Sequence, residues 1–127
     1  MFWKKKKTGD KQEQAPKASW KVLNEQSQLD QISKDSATRP QLIFKHSTRC
    51  GISAMVWRGF ERNWESEGYA ADLYVLDLLS YRDISDEIAS RFQVFHQSPQ
   101  LLIIKNGVVV AHESHGAIQQ VPLNQYL

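Results

Sequence analysis

Five short segments with the composition of β-strands alternate along the chain with segments in which apolar residues recur every three or four positions. The second of them, residues 41–46, contains three consecutive large apolar residues, which is typical of a strand covered on both faces. Strands that alternate with helices form α/β folds. The order of elements therefore predicts an α/β domain of the form βαβαβαββα. The predicted strands are residues 20–23, 41–46, 69–76, 101–104 and 108–111.

Local signals mark the ends of several elements. Gly68 is predicted to end the helix that follows residue 50, because glycine is favoured just past a helix. Ser85 is predicted to cap the next helix. Asn106 and Gly107 form a two-residue hairpin signal, so the last two strands are expected to be antiparallel neighbours. The closing residues 117–127 are predicted to be helical, with Pro122 interrupting that helix or lying near a start.

Charge is unevenly distributed between the first 19 residues and the rest of the chain. Of the 127 residues, the first 19 carry six lysines against two acidic residues, a net charge of +4, whereas the whole chain carries +2. Residues 20–127 therefore sum to −2 and offer no net positive field for nucleic acid. Residues 1–19 also lack an apolar period, which predicts a disordered basic tail before one domain at 20–127. Contact of this tail with an anionic membrane is the less favoured alternative.

The single cysteine and the short apolar runs restrict the cellular compartments in which the protein is expected. Cys50 has no partner within the chain, so an intramolecular disulfide is excluded and a reducing compartment is the simpler expectation. The longest aliphatic runs have four residues, far short of the ~20 that a membrane span needs. The basic start leads into polar residues and lacks the apolar stretch of a secretory signal. We therefore expect a cytoplasmic protein without integral membrane association.

Cys50 lies at the predicted junction between a buried strand and a helix. Its sulfur is expected to face first-turn amides that have no partner inside the helix, and the positive end of the helix dipole favours the thiolate. Cysteines in such places can have a pKa below the usual ~8.5. Arg49 directly before it adds positive potential. A reactive nucleophile is favoured over the alternative, a small buried hydrophobic residue.

Residues 50–53 spell Cys-Gly-Ile-Ser, a Cys-x-x-Cys redox motif with serine in place of the second cysteine. Without a resolving cysteine, a mixed disulfide on Cys50 is released only by an external thiol. For Ser53 two interpretations remain open, a hydrogen bond to the thiolate or an exposed serine that assists the helix start. For His46, which precedes the motif, a satisfied strand residue and a base are equally open.

The cysteine segment is the first of several motifs that belong together. It runs Ile-Phe-Lys-His-Ser-Thr-Arg-Cys-Gly-Ile-Ser over residues 43–53. Further along are Leu-Asp-Leu at 76–78, Tyr-Arg-Asp-Ile-Ser at 81–85, His-Gln-Ser-Pro-Gln at 96–100 and Ser-His at 114–115. Together they resemble the YtxJ family, the monothiol branch of the bacilliredoxins, and the resemblance covers residues 20–127.

This resemblance implies a fold and an activity. The fold is thioredoxin-like and three-layered, with a mixed central sheet of parallel strands and a terminal antiparallel hairpin, flanked by helices. The activity is thiol-disulfide exchange that removes bacillithiol from modified protein cysteines under oxidative stress. The family's nucleophile falls on Cys50, and Arg49, Gly51, Ile52 and Ser53 support it. Some members carry proline where this chain has Gly51, which indicates a looser corner here.

The resemblance also implies residues that bind the small thiol and the substrate. Thioredoxin-like folds place a cis-proline loop opposite the cysteine, and Ser98-Pro99 is the matching position, where the Ser98 backbone can pair with an incoming peptide. Bacillithiol carries two carboxylates, so cations are expected near the thiolate. The candidates are Lys45, Arg49, Arg82 and His115. For Arg82, membership of a solvated surface ion pair is the alternative.

The implied partners are bacillithiolated proteins and free bacillithiol, the low-molecular-weight co-substrate, and a monomer is expected. A rival function is a monothiol glutaredoxin-like carrier of an iron–sulfur cluster, since residues 50–53 differ at one position from Cys-Gly-Phe-Ser. Against it, residues 113–118 lack that family's Gly-Gly-x-Asp stretch. A non-catalytic thioredoxin-like module is the third possibility. The histidines lack metal-ligand spacing, so no metal is expected.

Overall fold

The structure of the protein is a computed structural model that describes residues 19–67 and 69–127. Gly68 and residues 1–18, nearly all of the tail predicted to be disordered, lie outside the described residues. The strands are β1 (Trp20–Val22), β2 (Gln41–His46), β3 (Asp72–Asp77), β4 (Gln100–Lys105) and β5 (Val108–Ser114). The helices are α1 (Ser27–Asp35), α2 (Gly51–Glu67), α3 (Arg82–Phe92) and α4 (Leu123–Tyr126), with a 3₁₀ helix at His115–Gln120.

The five strands form one mixed sheet in the order β1-β3-β2-β4-β5. β1 and β2 both run parallel to β3, whereas β4 is antiparallel to β2 and to β5. This arrangement confirms the predicted sheet of parallel strands with a terminal hairpin. Asn106 and Gly107 make the hairpin turn with φ of 54° and 80°, the left-handed conformation that such a turn requires.

Helices cover both faces of the sheet, because successive side chains of a strand point to opposite faces. On one face, Ile43 of β2 packs in a cluster with apolar residues of α1 and α3. On the other, Leu42 and Phe44 pack with apolar residues of α2 and of the C-terminal helices. The predicted three layers are thereby confirmed. None of the helices within the described ranges is long and apolar enough to cross a membrane.

Three predicted element ends differ from the structure. Ser85 does not cap α3, which begins at Arg82, and is buried on the inner side of that helix. β3 begins at Asp72 and not at Tyr69, whose ring packs against Trp64 of α2. The closing segment is a 3₁₀ helix followed by a separate short helix, since Pro122 interrupts the backbone between them.

Candidate active site

The topology gathers most of the predicted site residues at one edge of the sheet. β2 and β3 are parallel and paired through His46 and Asp77, so both end there. β4 is antiparallel to β2 and begins at the same edge, where Gln100 pairs with both Lys45 and Ser114. The loops after β2, β3 and β5 and the loop before β4 therefore meet at this edge. Cys50 and Ser98-Pro99 lie in the loops after β2 and before β4, and Arg82 and His115 are the first residues of the helices that follow β3 and β5.

Cys50 directly precedes α2 and is partly exposed to solvent. Its carbonyl accepts a hydrogen bond from the Ala54 amide at 3.1 Å, and its own amide donates to the Ser47 carbonyl at 3.2 Å. Cys50 thus occupies the N-cap position of a 17-residue helix, beside amides that lack intrahelical acceptors. Because the thiol is not sealed in the core, a soluble disulfide has access to it.

Ser53 is fully buried and is held from two directions. Its Oγ lies 2.7 Å from Nδ1 of His46, and the Ser47 amide donates to the same Oγ at 3.2 Å. The interpretation of Ser53 as an exposed first-turn serine is therefore wrong. Its hydroxyl ties the start of α2 to the end of β2.

His46 is buried and well partnered. Besides its bond to Ser53, its ring meets that of Trp57 edge to face, with centroids 4.6 Å apart. Burial lowers the pKa of His46, and the nearby Asp77 carboxylate opposes this only in part. Burial therefore favours the neutral imidazole over the imidazolium at this position.

The peptide bond between Ser98 and Pro99 is cis, which confirms the prediction that followed from the family resemblance. Pro99 is buried, Ser98 is partly exposed, and the amide of His115 donates to the Pro99 carbonyl at 3.0 Å. The backbone thus brings His115, which has an exposed side chain, next to the cis-proline loop.

The remaining predicted residues lie on the surface around Cys50. Arg49, Gly51 and Ile52 are exposed on either side of the cysteine, and Arg49 lines a depression of about 400 Å³ at the ends of β2 and β3. The other residues of its lining are Thr48, Asp77, Leu79 and Ser80. Arg82 is exposed at the first residue of α3. Two predicted cations, Arg49 and Arg82, are therefore accessible from solvent at this edge.

Lys45 is not one of the accessible cations at this edge. Its side chain is completely buried on the opposite face of β2 from His46, and its Nζ donates to the Ser85 carbonyl and to Nδ1 of His96, both at 3.4 Å. A side chain without exposed surface does not contact a bound thiol, so Lys45 is removed from the predicted binding set. Burial lowers the pKa of Lys45 to about 8, although the Asp86 carboxylate opposes that change.

Sequence reasoning missed three residues near the site. His96 accepts hydrogen bonds from Lys45 and Ser85, and no local pattern indicated these contacts across elements. Trp57 lies seven residues after Cys50, a spacing that places both on one face of α2 and offered a signal. Phe95, near the cis-proline loop, is 92% exposed. Across residues 19–67 and 69–127, no three His, Cys, Asp or Glu side chains are grouped as metal ligands would be.

A family model described as "Monothiol bacilliredoxin BrxC" matches residues 21–123. The chain belongs to this bacilliredoxin family. The match extends over every element from β2 to β5 and includes Cys50 and the cis-proline loop. Together with the partly exposed cysteine at the start of α2, membership supports a thiol redox function and a thiol-disulfide oxidoreductase activity.

Several solved structures with the thioredoxin fold resemble this bacilliredoxin. One, described as having a thioredoxin fold and as a candidate oxidoreductase, is 31% identical, with a TM-score of 0.73 over 84% of this chain and 92% of its own. The thioredoxin Mala s 13 of Malassezia sympodialis is 20% identical, with a TM-score of 0.69 over 91% and 96%. The thioredoxin pre-protein of Schistosoma mansoni, also 20% identical, has a TM-score of 0.67 over 87% and 100%. The last two show the fold alone.

Proposed function

We propose that this bacilliredoxin removes bacillithiol from protein mixed disulfides, with Cys50 as the nucleophile. The observation that carries the proposal is a single, partly exposed cysteine at the N-terminus of α2, followed by a serine where dithiol enzymes have their second cysteine. A site of this kind needs an external thiol for each turnover. Bacillithiolated proteins and free bacillithiol are the proposed partners, in the cytoplasm.

The reaction consists of two disulfide exchanges. The Cys50 thiolate attacks the bacillithiol sulfur of the mixed disulfide, the sulfur–sulfur bond breaks, and the protein thiolate leaves and takes a proton from solvent. A second bacillithiol thiolate then attacks the bacillithiol sulfur on Cys50. Bacillithiol disulfide leaves and the Cys50 thiolate is regenerated. One disulfide is consumed and one is formed, so no further oxidant or reductant is needed.

The cations at the sheet edge support bacillithiol as the small thiol. Arg49 and Arg82 are exposed there, and guanidinium groups bind carboxylates in a two-bond geometry. We propose that they bind the carboxylates of bacillithiol, with the exposed side chain of His115 as a third contributor. Ser98 is proposed to pair through its backbone with the peptide that carries the modified cysteine, as a strand pairs with an exposed edge.

The test is the loss of bacillithiol from a protein modified at one cysteine, followed by mass spectrometry after addition of excess bacillithiol. Cys50→Ser is expected to reduce the enzyme-dependent rate to background, because the side chain that forms the mixed disulfide is gone. Retention of the original rate by this variant would refute the proposal. Repeating the assay with glutathione in place of bacillithiol tests the identity of the thiol.

A pair of arginine variants tests the carboxylate site. Arg49→Gln is expected to raise the KM for bacillithiol about tenfold, the effect of losing roughly 1.4 kcal/mol of charge-assisted hydrogen bonding. Arg62→Gln is the matched control, since Arg62 is also exposed but lies three turns further along α2. Equal effects of the two variants would show that only general charge matters and would contradict a specific role of Arg49.

A further inference from the structure

Lys45 and Gln100 form a polar pair inside the sheet, near the edge at which Cys50 lies. They are directly opposite each other in the antiparallel pairing of β2 with β4, so their side chains share one face of the sheet. Both are buried, with 0% and 1% of their surface exposed. Burying a polar side chain costs free energy unless it is hydrogen-bonded. The partners of these two side chains therefore indicate what the pair does.

The partners of the pair are three consecutive residues, 95–97, of the loop that leads to the cis-proline. The Gln100 side chain donates through Nε2 to the Phe95 carbonyl at 3.0 Å, and its Oε1 accepts from the Gln97 amide at 3.4 Å. Between these two, Nδ1 of His96 lies 3.4 Å from Nζ of Lys45. The side chains of the three loop residues are exposed. The two buried residues thus connect an exposed loop to the interior of the sheet.

Ser85 of α3 is the third point of attachment of this loop. Its carbonyl accepts from Nζ of Lys45 at 3.4 Å, and its Oγ lies 3.1 Å from Nδ1 of His96. A hydroxyl both donates and accepts, so Ser85 bonds to this nitrogen in either tautomer of the imidazole. The residues just before Ser98 are therefore attached to β2, β4 and α3.

We propose that Lys45 and Gln100 are positioning residues that hold the cis-proline loop in the conformation that binds the modified protein. The inference rests on the proposed function, in which the Ser98 backbone pairs with the peptide that carries the modified cysteine. Gln97 directly precedes Ser98 and Gln100 directly follows Pro99, so these bonds lie on both sides of the pairing segment. A segment that is held before the peptide arrives loses less conformational entropy on binding, which increases affinity.

The buried ammonium of Lys45 supports a functional role because it costs free energy in folding. Burial lowers the pKa of Lys45 to about 8, and the Asp86 carboxylate opposes this only in part. An apolar side chain in the same space avoids that cost. Unfavourable burial of this kind is expected at functional sites, where activity is kept at the expense of stability. Lys45→Met is therefore expected to be more stable than the wild type and yet to bind the modified protein less well.

The test measures bacillithiol removal at several concentrations of the modified protein, so that KM and kcat are obtained separately. Lys45→Met and Gln100→Met are each expected to raise the KM for the modified protein about fivefold, because only molecules with the loop in its held conformation bind. The kcat is expected to stay within about twofold of the wild-type value, since Cys50 lies outside this loop. The rate at which iodoacetamide alkylates Cys50 is expected to be unchanged for the same reason.

Gln41→Met is the matched control, because Gln41 is also fully buried but lies at the opposite end of β2. Its Nε2 donates to the Arg39 carbonyl at 3.1 Å and to Oδ2 of Asp72 at 2.7 Å. The control is expected to have a lower free energy of unfolding in urea and an unchanged KM. A raised KM in the stabilised Lys45→Met, with an unchanged KM in the destabilised control, separates positioning of the loop from a general loss of stability.

Chymotrypsin provides a second measurement that needs no bacillithiol. Phe95 is 92% exposed, and cleavage after it requires the loop to leave its held conformation. The fragment that ends at Phe95, identified by mass spectrometry, is expected to appear about fivefold faster from Lys45→Met and Gln100→Met than from the wild type. The rate for Gln41→Met is expected to match that of the wild type.

The inference is overturned if the KM of either variant equals that of the wild type, or if Gln41→Met raises the KM as much as Gln100→Met. Unchanged cleavage after Phe95 overturns it too. In all these cases, bacillithiol removal by the wild type leaves the proposed function intact. A wild type that does not remove bacillithiol refutes the proposed function and the role in substrate binding together, and the cleavage rates still decide whether the pair holds the loop.

Discussion

Replacing the buried Lys45 by methionine is predicted to stabilise the protein at neutral pH and to change the pH dependence of its stability. The ammonium is completely buried, and its pKa is lowered from 10.5 to about 8, chiefly because burial disfavours the charged form. At pH 7 the folded protein still carries this proton. The structure therefore contains a buried charge that costs free energy at the pH where the protein works.

The size and sign of this change in the free energy of unfolding follow from the pKa of Lys45 in the folded chain and in the unfolded chain. Below about pH 8 the lysine is protonated in both the folded and the unfolded chain, and the folded state bears the full cost of the buried charge. This cost is about 3 kcal/mol, since one pKa unit corresponds to ~1.36 kcal/mol. As the pH rises from 8 towards 10.5, the folded state loses its proton first and the cost disappears. The free energy of unfolding of the wild type therefore rises relative to Lys45→Met by about 3 kcal/mol over this range.

Urea unfolding of both proteins at several pH values from about 7 to 10.5, followed by tryptophan fluorescence, measures this difference. Lys45→Arg is the matched variant, because arginine keeps its charge over the whole range. As the pH rises, the free energy of unfolding of the wild type is expected to increase by the same amount relative to each variant. At pH 7, Lys45→Met is expected to be more stable than the wild type and Lys45→Arg less stable. A difference from Lys45→Met that stays constant within about 0.5 kcal/mol would refute the assignment of a strained buried charge.

Two glycines provide further tests of the packing. Gly59→Ala is predicted to lower the free energy of unfolding by less than about 1 kcal/mol. A Cβ at this position lies 2.5 Å from the end of the flexible Gln119 side chain and displaces its Nε2 from the Val56 carbonyl, to which it donates at 2.7 Å, but the helix preference of alanine offsets most of that loss. Urea unfolding measures this change, and a stabilised variant would contradict the predicted close contact. Gly107→Ala is predicted to cost about 1 kcal/mol through its backbone alone, since φ is +80° and the surrounding space is open. An unchanged melting temperature would show that the hairpin turn tolerates a side chain.

The order of strands and helices was predictable because it depends on periods of two and of three to four residues, which are local properties. The continuous apolar run of β2 indicated a central strand, and the structure places β2 between β3 and β4. The hairpin was equally predictable from Asn106 and Gly107. Ser85 was misassigned because a serine before an apolar period also fits the inner face of a helix that begins one turn earlier.

The site was predictable in part. Cys50 and the missing second cysteine were evident from the spacing of residues, and the cis bond before Pro99 followed from the family resemblance. Lys45 was predicted to be one of the cations that bind the carboxylates of bacillithiol, but its buried ammonium donates to the Ser85 carbonyl instead. Alternation along β2 directs Lys45 and His46 to opposite faces, and only His46 lies on the face that α2 covers.

By itself the sequence determined the elements, the hairpin and a single cysteine before a helix, with no second cysteine in the chain. Only the tertiary structure decided which polar side chains meet: His46 with Ser53 on one face of β2, and Lys45 with His96 on the other. The physical reason is that spacing along the chain determines neighbours within one helix or strand. Contacts between elements depend on strand register and on how helices pack against the sheet, and these are properties of the whole fold.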